Sequence, residues 1–242
     1  MIDHYDWAGG REAMLRFGPA TGPVVVAALP LFEEANRTRA FVVTILRLLA
    51  ARGIAGALPD LPGQGESLIP THKTSILKMQ DAFGFACDKF DREGRNCYAI
   101  GLRSGALLDA LALAVGRWHL APQDGPQLFR ELTRIKQVEL GGRPLGDSWY
   151  FDNALPEEAG DPPVEIAGTP ISTDLLTDLQ VKTPFDEPGI PRRVVRLDTD
   201  PNPADRKVDA APLWRRAEPG NDPALTALLA DDIATWVRTC ES

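Results

Sequence analysis

Residues 96–105 read Asn-Cys-Tyr-Ala-Ile-Gly-Leu-Arg-Ser-Gly, and the fold follows from how that stretch is parsed. Apolar residues run into a Gly-x-x-x-Gly turn, and residues 106–115 are again apolar apart from Asp109. The pattern predicts a buried strand, a tight corner and then a helix over 106–115. Glycine at 101 and 105 permits backbone conformations and close approaches that a Cβ would block. Between them the corner residue is Arg103, with Ser104 one place later. A guanidinium stays protonated and has no lone pair with which to attack a carbonyl.

Outward from this corner, short apolar runs alternate with helical patterns, the signature of a mostly parallel sheet wrapped by helices. Strands are expected at 12–17, 23–29, 54–58, 97–101, 117–121 and 192–197, with a short one at 164–167. Helices are expected over 38–52, closed by Gly53, and over 75–93, 127–140, 172–181 and 222–238. Ser172 and Asp222 are the expected N-caps of the last two. At 242 residues the chain is long enough for one large α/β domain with a buried core. The loop-rich block at about 123–191 reads as an insertion into that domain.

Composition narrows the function classes. The formal net charge of −8 argues against a nucleic-acid partner, which needs a concentrated basic surface. No apolar run approaches the roughly 20 residues that cross a bilayer, and residues 1–7 lack the basic and apolar regions of a signal peptide. Three scattered cysteines, Cys87, Cys97 and Cys240, predict reduced thiols in the cytoplasm. His4, His72 and His119 are equally scattered, so neither a metal nor a cofactor is implied.

Asp60-Leu-Pro-Gly-Gln-Gly-Glu-Ser67 follows the strand expected at 54–58 and has an architectural reading, with Ser67 placed to cap a following helix. With the corner at 101–105 it resembles the α/β-hydrolases, where the corner is Gly-x-Ser-x-Gly and exposes a nucleophile. That resemblance implies an α/β-hydrolase-like fold in which 123–191 is a cap over the active site. Residues 30–36 (Pro-Leu-Phe-Glu-Glu-Ala-Asn), 60–67 and 101–105 together are similar to the exosortase A system-associated hydrolases, the hydrolase 2 type. Residues 165–172 and 212–218 resemble the same group. Membership implies a bacterial protein of an exopolysaccharide and protein-sorting pathway, without implying a substrate.

Arg103 has two readings: a corner arginine fixed by an ion pair with Glu33 or Glu34, or an anion-binding arginine at the head of a helix. Glu33 and Glu34 follow the strand at 23–29, where an oxyanion hole would need donors and two carboxylates are unsuitable. Their alternative role is to begin a solvated helix. Leu31, from the same segment, is a further candidate for the pocket wall. For catalysis the candidates are Ser104 as a displaced nucleophile, His119 as base and, as acid, Asp198 or Asp200 at the end of the strand at 192–197, which without a histidine to orient are otherwise turn residues. No histidine follows His119, however, and a relay histidine belongs after the last strand. Among the aromatics, Trp118, Trp149, Tyr150, Phe151 and Trp214 stand out. Trp149 either roofs a pocket or pins the insertion to the core.

Three functions remain open. The leading one is a triad-less protein of this fold that binds an anionic small molecule (carboxylate, phosphate or acyl) or a partner protein, with a homodimer also conceivable. The second is an atypical ester or thioester hydrolase or acyltransferase using Ser104 or a displaced nucleophile. A protein-interaction scaffold with a vestigial pocket is the third. Fold alone does not choose among them.

Overall fold

The computed structural model describes residues 1–146, 148–151 and 162–242. In chain order the strands are β1 (Ile2–Trp7), β2 (Gly10–Phe17), β3 (Val24–Ala28), β4 (Ala55–Pro59), β5 (Cys97–Leu102), β6 (Gly116–Leu120), β7 (Val164–Ile166), β8 (Thr169–Ile171), β9 (Arg192–Leu197) and β10 (Arg206–Val208). The helices are α1 (Glu33–Ala51), α2 (Ile76–Arg92), α3 (Gly125–Glu139), α4 (Thr173–Leu179) and α5 (Pro223–Glu241). Eight strands form one sheet in the order β1-β2-β4-β3-β5-β6-β9-β10, and β7 and β8 pair as a separate antiparallel hairpin. From β4 to β10 every pairing in the large sheet is parallel; β1 and β2 are antiparallel additions at one edge.

Helices cover both faces, so the central strands are apolar on both sides, as parallel sheets require. Along β3, Val24, Val26 and Ala28 enter one core with α2, while Val25 and Ala27 enter the other with α1 and α5. Caps hold the helices in place: Ser75 accepts from Lys78 N–H, Ser172 from Leu175 N–H and Asp222 from Leu225 N–H. Asp124 and Gln127 form a reciprocal capping box at the start of α3.

Three expectations need correction. Residues 106–115 are not a helix; a 3₁₀ turn, Arg103–Leu107, ends there and the chain continues irregularly to β6. Ala112 and Ala114 are buried while Leu111 and Leu113 face solvent, so the run alternates with period two. The buried Arg117 Nη2 donates to the carbonyls of Asp109 and Ala112, at 3.1 and 2.9 Å, groups that a helix would have used internally. Second, Ser67 caps no helix. Its hydroxyl donates to Glu12 Oε1 at 2.8 Å and accepts from Ile69 N–H, tying the loop to β2. Third, α1 begins at Glu33, five residues before the expected start, and β1, β8 and β10 were not anticipated.

One carboxylate clamps α5 to the sheet. Asp232 accepts from Trp118 Nε1 on β6 at 2.9 Å, from Arg193 on β9 through two bonds of 2.8 Å, and from Arg206 on β10 at 2.7 Å. Burial opposes its charge, but these donors outweigh burial and hold the carboxyl down to about 2. A depressed folded-state pKa adds stability above the unfolded value and loses it as pH falls through the folded one. Asp232→Asn is expected to cost about 2 kcal/mol at pH 7 in chemical denaturation. The gap from the parent should close between about pH 4 and pH 2; a gap independent of pH would refute the charge-based account.

Candidate functional site

The candidate site lies where the parallel strands end. At the corner after β5, a Cβ on Gly101 would lie 2.6 Å from Ala106 Cα, and one on Gly105 would lie 2.4 Å from the Ala28 carbonyl oxygen. Both glycines are therefore required for the turn to fold back against β3. The residue between them takes up the strain: Arg103 has φ 53°. Phe32 at the start of α1 (φ 58°) and Ala121 directly after β6 (φ 46°) share this left-handed conformation. Since β3, β5 and β6 are adjacent, three strained non-glycine residues cluster at one edge. Each costs roughly 1–2 kcal/mol, and such strain concentrates at ligand sites.

The Arg103 side chain points into a cleft of about 310 Å³, also lined by Gln127, Arg196, Asp200, Trp214 and Arg215. Its Nε donates to Glu34 at 3.3 Å, its Nη2 lies 3.6 Å from Glu131 Oε1 on α3, and its guanidinium stacks over the Trp214 ring at 5.0 Å. Of the two glutamates considered, Glu34 is thus the partner, whereas Glu33 pairs with Arg37 at 2.7 Å along α1. Glu33 borders a different, smaller cavity with Leu31. The corner leads into only one 3₁₀ turn, so no long helix adds its dipole at Arg103, and the helix-head part of the anion-binding reading is withdrawn.

The remaining sequence candidates are placed elsewhere. Ser104 is fully buried, and its Oγ accepts from Leu31 N–H at 2.9 Å. His119 is also fully buried; Arg192 Nε donates to Nδ1 at 3.5 Å, which assigns the proton to Nε2, 2.8 Å from Asp109 Oδ2. No histidine lines the cleft among the described residues. Asp198 is exposed, and its backbone N–H donates to Val208. Of the two acids after β9, Asp200 is the one that borders the cleft. It accepts from Arg196 Nη1 at 2.7 Å and from both nitrogens of Asn202. Burial opposes that charge, but Asn202 and Arg196 leave the Asp200 carboxyl below its ordinary range. Trp149 donates to Thr133 and stacks on Phe129 of α3 at 6.2 Å, so it pins the insertion and does not roof the Arg103 cleft.

Sequence reasoning missed Glu131, Arg196 and Arg215. The available signal was weak: Arg196 breaks the apolar run of β9 with an inward charge near its end, two residues past the paired Val194. Glu131 sits one turn beyond Gln127 on α3, and both turn toward the cleft.

No protein-family model and no curated protein sequence matches the chain. Solved structures do, over nearly its whole length. The α/β-hydrolase GrgF from Penicillium sp. sh18 aligns with TM-score 0.62 at 14% identity, covering 100% of this chain and 99% of that one. The bottromycin epimerase BotH, in complex with bottromycin A2, aligns with TM-score 0.56 at 13% identity, covering 97% and 98%. A thermophilic esterase from Thermogutta terrifontis aligns with TM-score 0.53 at 12% identity, covering 100% of both. At these identities the likeness defines the fold: the chain is an α/β-hydrolase-fold protein.

Burial pushes the Glu34 carboxyl above its ordinary range by more than the neighbouring Arg103 pulls it down. With the folded pKa above the unfolded one, ionised Glu34 opposes folding, and that penalty is absent below the unfolded value near about pH 4. Glu34→Gln is therefore expected to melt at or above the parent's temperature at pH 7, with any advantage gone near about pH 4. A variant clearly less stable at pH 7 would mean that the ion pair contributes net stability. Trp149→Ala should lower the melting temperature, as calorimetry would report, because it removes the stack on Phe129 and the bond to Thr133.

Proposed function

We propose that this protein is a binding protein built on the α/β-hydrolase fold, lacking the Ser-His-Asp triad, whose cleft at Arg103 takes an anionic small molecule. One observation carries the reading. The corner that in hydrolases presents a nucleophile keeps its strained geometry here, yet presents a guanidinium to the cleft. Glu34, Glu131 and Trp214 hold that guanidinium without using its Nη1 among the described residues. A preoriented arginine loses little entropy on binding a carboxylate or phosphate, and charge-assisted bonds to it are the strong ones. The similarity of residues 30–36, 60–67 and 101–105 to the exosortase A system-associated hydrolases supports a place in a bacterial exopolysaccharide pathway. Free thiols at Cys87, Cys97 and Cys240 support a cytoplasmic location. Among the described residues no helix is long and apolar enough to cross a membrane.

The hydrolase reading through Ser104 has no comparable support, because its Oγ is closed to solvent and no base reaches it among the described hydrogen bonds. That the same fold carries an epimerase as well as esterases agrees with keeping fold and activity separate. Millimolar anions are expected to raise the melting temperature of the parent by several degrees, a shift abolished in Arg103→Gln. A serine-directed fluorophosphonate should leave the protein unlabelled. Labelling that disappears in Ser104→Ala would replace the binding reading with the hydrolase. A protein that neither labels nor responds to anions, but retains a partner from its own cell extract, would be the scaffold.

A further inference from the structure

Resting on the anion-binding reading, we infer that the cleft is built for a tetrahedral dianion, the phosphate group of a small phosphomonoester, in preference to a carboxylate. Three guanidinium groups from separate segments border the same space: Arg103 from the corner after β5, Arg196 from β9, and Arg215 from the 3₁₀ turn Leu213–Arg215. A planar carboxylate is satisfied by one guanidinium that meets it edge to edge. A phosphate monoester presents three acceptor oxygens out of a common plane and carries nearly two charges near neutral pH, so it calls for donors from several directions.

Each arginine keeps donor capacity for such a group. Arg196 uses Nε on the Pro203 carbonyl and Nη1 on Asp200, and Nη2 has no partner among the described residues. Arg103 engages Nε with Glu34 and Nη2 with Glu131, again leaving Nη1. The exposed Arg215 side chain makes no hydrogen bond or ion pair among the described residues. The three arginines face three carboxylates, Asp200 beside Arg196 and Glu34 and Glu131 beside Arg103, so what the cleft offers a dianion is unused donors in several directions and not an excess of charge. Glu34 and Glu131 stand outside the lining and brace Arg103. Gln127 and Thr199 add neutral polar groups, and a cleft of about 310 Å³ suits a small ligand.

Glycerol phosphate and glycerate, similar in size but differing in the anion, distinguish the two chemistries on the full chain by isothermal titration calorimetry, with sulfate as a tetrahedral dianion that does not titrate in this range. Glycerol phosphate is expected to bind at least about tenfold more tightly than glycerate. Its affinity should rise about fourfold from pH 5.5 to 7.5 as its second proton, with a pKa of about 6, is lost. Sulfate affinity should stay level over the same range, which assigns the change to the ligand and not to Glu34, Glu131 or Asp200. Arg215→Gln, at an exposed side chain without partners, should weaken glycerol phosphate about tenfold and leave the melting temperature of the unliganded protein unchanged. Glycerate binding as tightly as glycerol phosphate, with Arg215→Gln silent, would overturn the phosphate assignment while the anion cleft stands. If none of the three anions bound, both readings would fall together.

Discussion

The approach of the Gly105 backbone to the end of β3 is the constraint on which the site depends. With the Ala28 carbonyl oxygen 2.4 Å from where a Cβ would sit, the chain leaving β5 can pass β3 only as glycine. Turning back within so few residues forces the apex into the left-handed region. That conformation tilts the apex side chain out of the sheet plane and into the space above the strand ends. Any residue at 103 would be aimed at the cleft; the sequence places a guanidinium there. Ser104, one residue later, necessarily turns inward, where the Leu31 N–H holds its hydroxyl. One steric fact thus decides which of the two side chains faces the cleft.

A second consequence follows downstream of the corner. The run at 106–115 is apolar apart from Asp109, so periodicity alone does not separate a buried helix from an extended segment. Asp109 and Arg117 decide it. Asp109 turns inward to His119 at 2.8 Å, and Arg117 takes the Asp109 and Ala112 carbonyls while its guanidinium lies 3.7 Å from the Phe185 ring centre. Burial lowers the Arg117 pKa from its ordinary value, with Asp109 acting against that shift. Burying these charges is costly unless they are paired. Here Arg117 satisfies carbonyls that would otherwise be orphaned, and its contact with Phe185, together with the separate Arg192–Asp186 pair at 2.5 Å, fastens the loop returning from the insertion to β6 and β9. His119 therefore has the hydrogen bonds of a catalytic histidine, but they serve the packing of this loop.

How far the sequence could be read depended on whether the signal was local. Strands β3, β5, β6 and β9, and the caps at Ser172 and Asp222, are written in contiguous residues and were legible. So was the pairing of Arg103 with an acid just after β3, because adjacent parallel strands place their following loops side by side. The choice of Glu34 over Glu33 was not legible, since it depends on helix phase: Glu33 reaches Arg37 one turn on, and Glu34 faces the sheet. Glu131, Arg196 and Arg215 come from elements far apart in the chain. Each alone resembles an ordinary surface charge, and only the topology brings them together. Edge strands β1 and β10 were missed for a related reason: Ile2–Trp7 and Arg206–Val208 are rich in charged and exposed residues, as unpaired sheet edges are.

The electrostatics of the whole molecule refine what the cleft can do. With a net charge of −8, the protein repels anions at a distance, so a small anion is not steered to the site. At physiological ionic strength the Debye length is about 8 Å, and the long-range repulsion is largely screened. What remains is local. On the proposed reading, an anion would gain from the arginines only once it is inside the cleft, within hydrogen-bond reach of their guanidinium groups. Recognition under these conditions depends on geometry at close range more than on charge alone. Arg103 and Arg196 are each braced by carboxylates, so the donors a ligand would use are already oriented. The acids around the cleft thus have a role that net-charge arguments overlook: they reduce attraction at long range and fix the guanidinium groups that supply it at contact.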